Sequence, residues 1–223
     1  MKRSVVLRVV LKDWYLCRVT LTLTAMAGTL CVALLYLRQS GSSFVGLTGA
    51  LIAAILLSVL TPIQTIVQER KQQNLAFVMS LPISPMEYTT AKILGNLAAF
   101  LAVWLVLAGG VIGTIAGTGG YGGVIPLAVI TALTPFVAFC LLLSVAIVSE
   151  SELVTLVIMG ACNVSYSFGW FVLMRVPGLP QNLKSPVAVW SEPVVWIIAG
   201  QVALAVLCLG LTFFFQSRKT NFV

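Results

Sequence analysis

Long runs of apolar residues, each about as long as a bilayer's hydrocarbon core is thick, leave this chain few folds to adopt. About six such runs stand at 16–37, 44–67, 89–116, 124–148, 153–174 and 194–215. A helix rises about 1.5 Å per residue, so about 20 apolar residues cross the hydrocarbon region. Backbone polar groups in lipid must pair within their own segment, and a helix achieves that. Of the 223 residues, 60% are hydrophobic and 9% charged, with a mean hydropathy of +1.07. That is too little polar surface to cover a water-soluble fold. The sequence predicts an all-α integral membrane protein with six transmembrane helices in one domain over 1–223. The runs use nearly the whole chain and leave no room in it for a soluble catalytic domain.

Charge sets the expected orientation. The net charge is +7, and its distribution points to a membrane surface rather than to nucleic acid. With the N-terminus inside, Lys2, Arg3, Arg8, Lys12, Arg18, Arg70, Lys71, Lys92, Arg218 and Lys219 fall on the inner side. Arg38, Arg175 and Lys184 fall outside. Loops rich in Lys and Arg stay cytoplasmic, so both termini are expected in the cytoplasm of a multi-pass protein of the inner (plasma) membrane. The five cysteines, Cys17, Cys31, Cys140, Cys162 and Cys208, lie in or beside apolar runs without metal-ligand spacing. They read as small buried apolar residues. There is no histidine, which removes imidazole relays, histidine metal sites and triads built on a histidine base. No catalytic or metal-binding residue is expected. Lys2-Arg3 with Ala25-Met26-Ala27 superficially fits a cleaved signal, but Arg8, Lys12, Asp13 and Arg18 interrupt its apolar core, so the first run is expected to stay.

Smaller features punctuate the spans. Residues 1–15 read as an amphipathic helix on the inner membrane face, with a Ser4, Arg8, Lys12 stripe and Trp14 and Tyr15 at the interface. In the second span Thr48, Ile55, Ser58, Pro62 and Thr65 share a face kinkable at Pro62, which suits a pathway lining and equally suits helix packing. The run Gly117 to Gly123 superficially resembles a phosphate loop, lacks its Lys-Ser/Thr, and reads as a flexible external turn. Ser149 and Glu152 read as a capping box opening the fifth span. That span carries Met159, Asn163, Tyr166 and Trp170 on one face, so Asn163 and Tyr166 join Thr48 and Ser58 as possible pathway residues. The proline-rich segment 175–193 reads as a broken, re-entrant-like cap on the outer side.

The stretch from Glu69 to Lys92 is the one long polar break on the inner side. Leu75, Val78 and Met79 recur at helical spacing, and Pro82 ends that short helix. Ser84 at an N-cap, Pro85 at the first helical position and Glu87 in a capping box then start the third span. A small helix between two spans is either offered to a partner or rests on lipid. The span centres carry no Asp, Glu, Lys or Arg, whereas an ion-coupled carrier needs charge there. The energy for any transport is therefore expected from outside the bilayer.

The run Glu69-Arg70-Lys71, Leu75, Met79-Ser80-Leu81-Pro82-Ile83-Ser84, Glu87 and Ala91-Lys92 resembles the signature region of ABC-2 type transporter permeases. The six spans, amphipathic N-terminal helix and outer cap resemble that family too. The resemblance implies a cytoplasmic coupling helix from Arg70 to Leu81 that docks on a separate ABC ATPase subunit, two copies of which bind ATP and Mg. Glu69, Arg70 and Lys71 would make its polar contacts, and Leu75, Val78, Met79 and Leu81 its apolar ones. This chain itself would bind no cofactor and catalyse no reaction. A second copy or a sister permease would complete the pathway for export of an amphipathic or hydrophobic substrate, such as a peptide, antibiotic or lipid-like compound. Lack of histidine departs from heme-exporter-like members. A self-contained carrier or channel, and a non-transporting membrane assembly factor, are the alternatives.

Overall fold

The computed structural model of the chain describes residues 3–37, 40–71, 85–117, 122–149 and 151–218, with side chains left out at 3–9, 40–41, 70–71 and 85. The described residues are overwhelmingly helical. Six helices are long and apolar enough to cross a membrane. In chain order they begin with α1 (Arg3–Leu35) and α2 (Ser40–Pro62). A π-helical turn (Ile63–Val67) and the short α3 (Gln68–Lys71) follow. Then come α4 (Pro85–Gly117), a 3-10 turn (Gly122–Val124), α5 (Ile125–Val148) and α6 (Glu152–Leu173). A one-turn α7 (Leu179–Asn182) and α8 (Glu192–Arg218) complete the description.

One expectation fails at the start. Residues 1–15 are not a separate interfacial helix: α1 runs unbroken from Arg3 into the first span. Of the polar stripe, Lys12 is exposed, but the neighbouring Asp13 is turned inward and only 2% exposed. No glycine or proline interrupts this stretch, so nothing breaks the helix once Asp13 has partners.

The helices pack around α5, which touches α2, α4, α6 and α8, while α1 lies on α2 and α4. The main core joins Leu57, Phe100, Phe139, Leu143 and Ala146. Phe100 and Phe139 stack at 4.2 Å between centroids, and Trp104 with Phe136 extends the seam. Small residues let α1 and α2 close up: a Cβ on Gly46 would meet the Cys31 carbonyl at 2.6 Å, and one on Gly49 the Cys31 Sγ at 2.5 Å. Without a hydrophobic drive between helices in lipid, such close backbone approach is a main source of association.

Prolines are absorbed by neighbours. Pro135 lies inside α5. Nearby carbonyls are taken by side chains, Ala132 by Trp104 Nε1 at 2.8 Å and Ile130 by Gln201 Nε2 at 3.2 Å. These bonds flank the Thr131 carbonyl, the one that Pro135 leaves without its helical donor. Pro62 ends α2, and the ladder then shifts into the π turn, where the Gln68 N–H donates to the Ile63 carbonyl.

The segment between α6 and α8 contains α7 in a run of turns, with Gly178 in the left-handed region at φ 83°. It packs on the start of α5. Gly123 N–H donates to the Ser185 carbonyl at 2.9 Å, and a Cβ on Gly123 would sit 1.8 Å from the Asn182 carbonyl oxygen. Gly122 and Gly123 are therefore not a loose turn: they are glycine because the cap backbone lies directly against them. Leu179 and Val194 close this end over Leu127 and Ile130.

The cap of α6 also differs from expectation. Ser151, not Ser149, is its N-cap, and its side chain accepts from the Val154 N–H at 3.4 Å. Ser149 instead ends α5, donating its N–H to the Val145 carbonyl. Glu152 is thereby the first helical residue rather than the third, too early to close a capping box.

Candidate functional site

At one end of the bundle, four charged residues meet where α1, the π turn with α3, and α4 converge. The Lys92 ammonium lies 2.8 and 3.0 Å from the Asp13 carboxylate, 2.5 Å from Glu69 Oε2 and 2.9 Å from the Thr65 carbonyl. Lys12 bonds the other Glu69 oxygen. An ammonium carries three protons, and Lys92 has three separate acceptors for them. Two lysines face two carboxylates, so the cluster is neutral as a whole. Asp13, Glu69 and Lys92 are at most 4% exposed. Ions taken this far from water are tolerated only with partners and complete hydrogen bonding.

A polar shell holds these groups in place. The Thr65 hydroxyl lies 2.7 Å from Asn96 Oδ1 and 2.9 Å from the Thr61 carbonyl, and the Asn96 amide donates to the Lys92 carbonyl. The Tyr88 hydroxyl reaches Glu69 at 3.4 Å, with its ring below the Lys92 ammonium. About two turns along α1 from the cluster, Thr20 and Gln64 bond each other at 2.7 and 3.0 Å. Burial alone pulls the Glu69 carboxyl up, but Lys92 and Lys12 outweigh it and hold it below the usual range.

This placement changes the expected role of Glu69. It is not an outward contact for a partner: its carboxylate is consumed inside the chain by Lys12 and Lys92. Arg70 and Lys71 continue α3, and their side chains fall outside the description. Leu75, Val78, Met79, Leu81 and Ser84 lie outside the described residues. Glu87 stands in the first turn of α4, which is described from Pro85 onward. Sequence reasoning missed Asp13, Lys92, Thr65 and Asn96 as one constellation. The available signal was that Asp13, Glu69 and Lys92 are charges at or near the edges of three different spans.

A second feature lies toward the other end. A cavity of about 480 Å³ opens between α2, α5 and α6, lined among others by Thr48, Leu51, Thr131, Thr134, Tyr166 and Trp170. The helix α6 packs chiefly on α5, and the space separates it from α2. Of the four expected pathway residues, Thr48 and Tyr166 line this cavity. Ser58 is fully buried beyond it, and its hydroxyl donates to the Ile55 carbonyl at 2.7 Å. The Tyr166 hydroxyl faces Ser58, is buried, and makes no hydrogen bond of normal geometry. Asn163 is not brought to the cavity: it is exposed on α6 and donates to the Met159 carbonyl at 2.9 Å. Three positions advance about 300° around a helix, so Asn163 stands about 60° from Tyr166, at the edge of the facing stripe rather than at its centre.

Among known proteins, the chain matches no family model, no curated protein and no solved structure at significant similarity.

Proposed function

We propose that this chain is the membrane-spanning subunit of an ATP-driven exporter of the ABC-2 permease type, powered by a separate ATPase. The observation that carries the reading is the buried ion cluster at the root of the 72–84 segment. Glu69 lies just before that segment and Lys92 just after it, and both are bonded to the start of α1. A force applied to the segment would reach three long helices through one neutral, tightly bonded joint. Rigid-body tilting of packed helices is the motion such a joint transmits.

In this reading both termini and the 72–84 segment are cytoplasmic, and the protein sits in the inner (plasma) membrane. Two copies, or this chain with a sister permease, enclose the pathway, and ATP with Mg binds on two ATPase subunits. The cavity between α2 and α6 belongs to the pathway. Its mainly apolar walls suit an amphipathic or hydrophobic cargo.

The test is reconstitution. The chain is purified in mild detergent, any P-loop ATPase that co-purifies is identified, and the pair is placed in liposomes. Stable co-purification and ATP-dependent efflux are expected. Transport by the isolated chain at full rate without ATP would overturn the reading.

A further inference from the structure

One charged side chain within the first span has no counter-ion among the described residues. Arg18 stands eight positions into the apolar stretch of α1 that opens at Val10, about 12 Å along the helix axis. It is exposed, as are Trp14 and Tyr15, about one turn nearer the end of the bundle that carries the ion cluster. The guanidinium lies over the Tyr15 ring, with Cζ 3.9 Å from the centroid. Tyr15 precedes Arg18 by three positions, so the side chain bends back toward that end rather than outward at the middle of the span. That is the direction in which a basic side chain on a membrane helix reaches water and headgroups.

The patch has donors to give. Among the described residues, no acceptor meets the Arg18 guanidinium, the Trp14 indole N–H or the Tyr15 hydroxyl. The carboxylates nearest in sequence and space, Asp13 and Glu69, are held by Lys92 and Lys12. A guanidinium carries five N–H groups in a planar fork, and the Tyr15 ring beneath attracts it and limits its freedom. Helical spacing keeps the three side chains within about 100° of one another around α1. Toward the middle of the span the exposed surface turns apolar, through Val19, Leu23 and Met26. Thr22 interrupts it little, because its hydroxyl has turned onto the Val19 carbonyl at 3.0 Å. A cation with free donors at the edge of the span, and hydrocarbon surface beyond it, is complementary to a phosphate headgroup with acyl chains attached.

We propose that Trp14, Tyr15 and Arg18 bind the headgroup of an anionic phospholipid, whose acyl chains run along Val19, Leu23 and Met26. Two phosphate oxygens accept from the Arg18 fork, a bidentate geometry that guanidinium matches and ammonium does not. The Trp14 N–H and Tyr15 hydroxyl donate to the glycerol and ester oxygens beside the phosphate. A zwitterionic lipid fits less well, because it brings its own cation next to Arg18. Basic patches at the edge of a span are attracted to anionic headgroups in this way. The binding depends neither on ATP nor on a role in export.

The test is native mass spectrometry of the full chain released from mild detergent, titrated with phosphatidylglycerol or with phosphatidylcholine of the same acyl chains. Retention of phosphatidylglycerol at the lower concentration is expected. In Arg18→Gln its half-saturating concentration should rise about fivefold, the worth of one basic residue at an anionic lipid surface. Arg18→Lys keeps the charge but not the fork, and should raise it about twofold. Arg175→Gln removes the same charge from an exposed position just beyond α6 and should leave it unchanged. Inorganic phosphate at millimolar concentration should not displace the lipid. Equal phosphatidylglycerol binding by wild type and Arg18→Gln would overturn the proposal, as would an equal loss in Arg175→Gln. Displacement by inorganic phosphate would remove the lipid as occupant. A doubled mass that retains no lipid would overturn it too, and would assign the patch to a second copy of the chain.

Discussion

The Lys92 ammonium lies 2.8 Å from Asp13 Oδ1, across 79 positions of sequence. This contact joins the third span to the first at the same end of the bundle where the second span ends. It converts a lysine and an aspartate, each unfavourable near hydrocarbon alone, into a shared joint.

Removing the cation should be far worse than removing the whole cluster. In Lys92→Met, Asp13 and Glu69 would be left buried with only Lys12, which is 41% exposed, to offset them. A buried charge deprived of its partner costs about 3–5 kcal/mol. The variant should lose about that much stability in denaturant titration of the detergent-solubilised protein. Adding Asp13→Asn and Glu69→Gln to Lys92→Met should restore much of it, because the one charge left, Lys12, is 41% exposed and can be hydrated. Equal stability of the single and triple variants would contradict the joint.

Acid should weaken the same joint. Glu69 has a lowered pKa in the folded chain because Lys92 and Lys12 outweigh the opposing effect of burial. A group with a depressed folded pKa contributes stability that is fully present above its unfolded value, about 4.3 for glutamate. That contribution is lost as pH falls through the folded value. Melting temperature should therefore decline more steeply below about pH 4.3 in the wild type than in Glu69→Gln. Parallel profiles for the two proteins would show that Glu69 is not held ionised by its lysines.

The spans were legible because the demand of the bilayer is written residue by residue: about 20 apolar positions, whatever their neighbours. That 175–193 is no simple turn was legible through its prolines, and it carries the short α7 ahead of α8. The joint was not. Its members sit at 13, 69 and 92, and only the packing of α1 against α4 brings them together. A scan for charge at span centres passes over residues one or two turns inside the edge. The first span was separated from residues 1–15 by a polar stripe at Ser4, Arg8 and Lys12, and nothing in that stripe tells that the helix continues unbroken through it. The cap of α6 failed for a different reason: Ser149 and Ser151 offer the same hydroxyl, and spacing to Glu152 favours the wrong one.

Glycines should divide by what stands over them. Gly46 faces the Cys31 backbone, where a methyl would lie 2.6 Å from a carbonyl oxygen. Backbone yields little, so Gly46→Ala should push α1 from α2 and cost about 1–3 kcal/mol. Gly109, within α4, has nothing within 4 Å of its Cβ position. There the substitution removes only glycine's excess freedom, and Gly109→Ala should be neutral or stabilising by up to about 1 kcal/mol. Thermal melts of the two variants in one detergent test the contrast. A Gly46→Ala protein as stable as Gly109→Ala would mean that α1 and α2 are not in close contact.

Coupling to an ATPase and integrity of the bundle should be separable by position. Glu69 is spent within the chain, so Glu69→Lys should lower stability by placing a third cation beside Lys12 and Lys92, and any loss of transport would follow from that. Leu75, which the family resemblance places on the docking face, is expected to act differently. Leu75→Asp should leave the melting temperature and membrane insertion close to wild type while abolishing stimulation of the partner ATPase. Arg70→Glu should behave like Leu75→Asp if its side chain points to the partner, and like Glu69→Lys if it joins the buried cluster. The measurement is paired: melting temperature of the chain alone, and ATPase rate of the reconstituted complex. Full ATPase stimulation with Leu75→Asp would remove the segment from the proposed power path, whereas unfolding of that variant would assign Leu75 to the bundle instead. The two outcomes are distinguishable because Glu69 is bonded within the bundle, whereas Leu75 lies in the segment proposed to meet the partner.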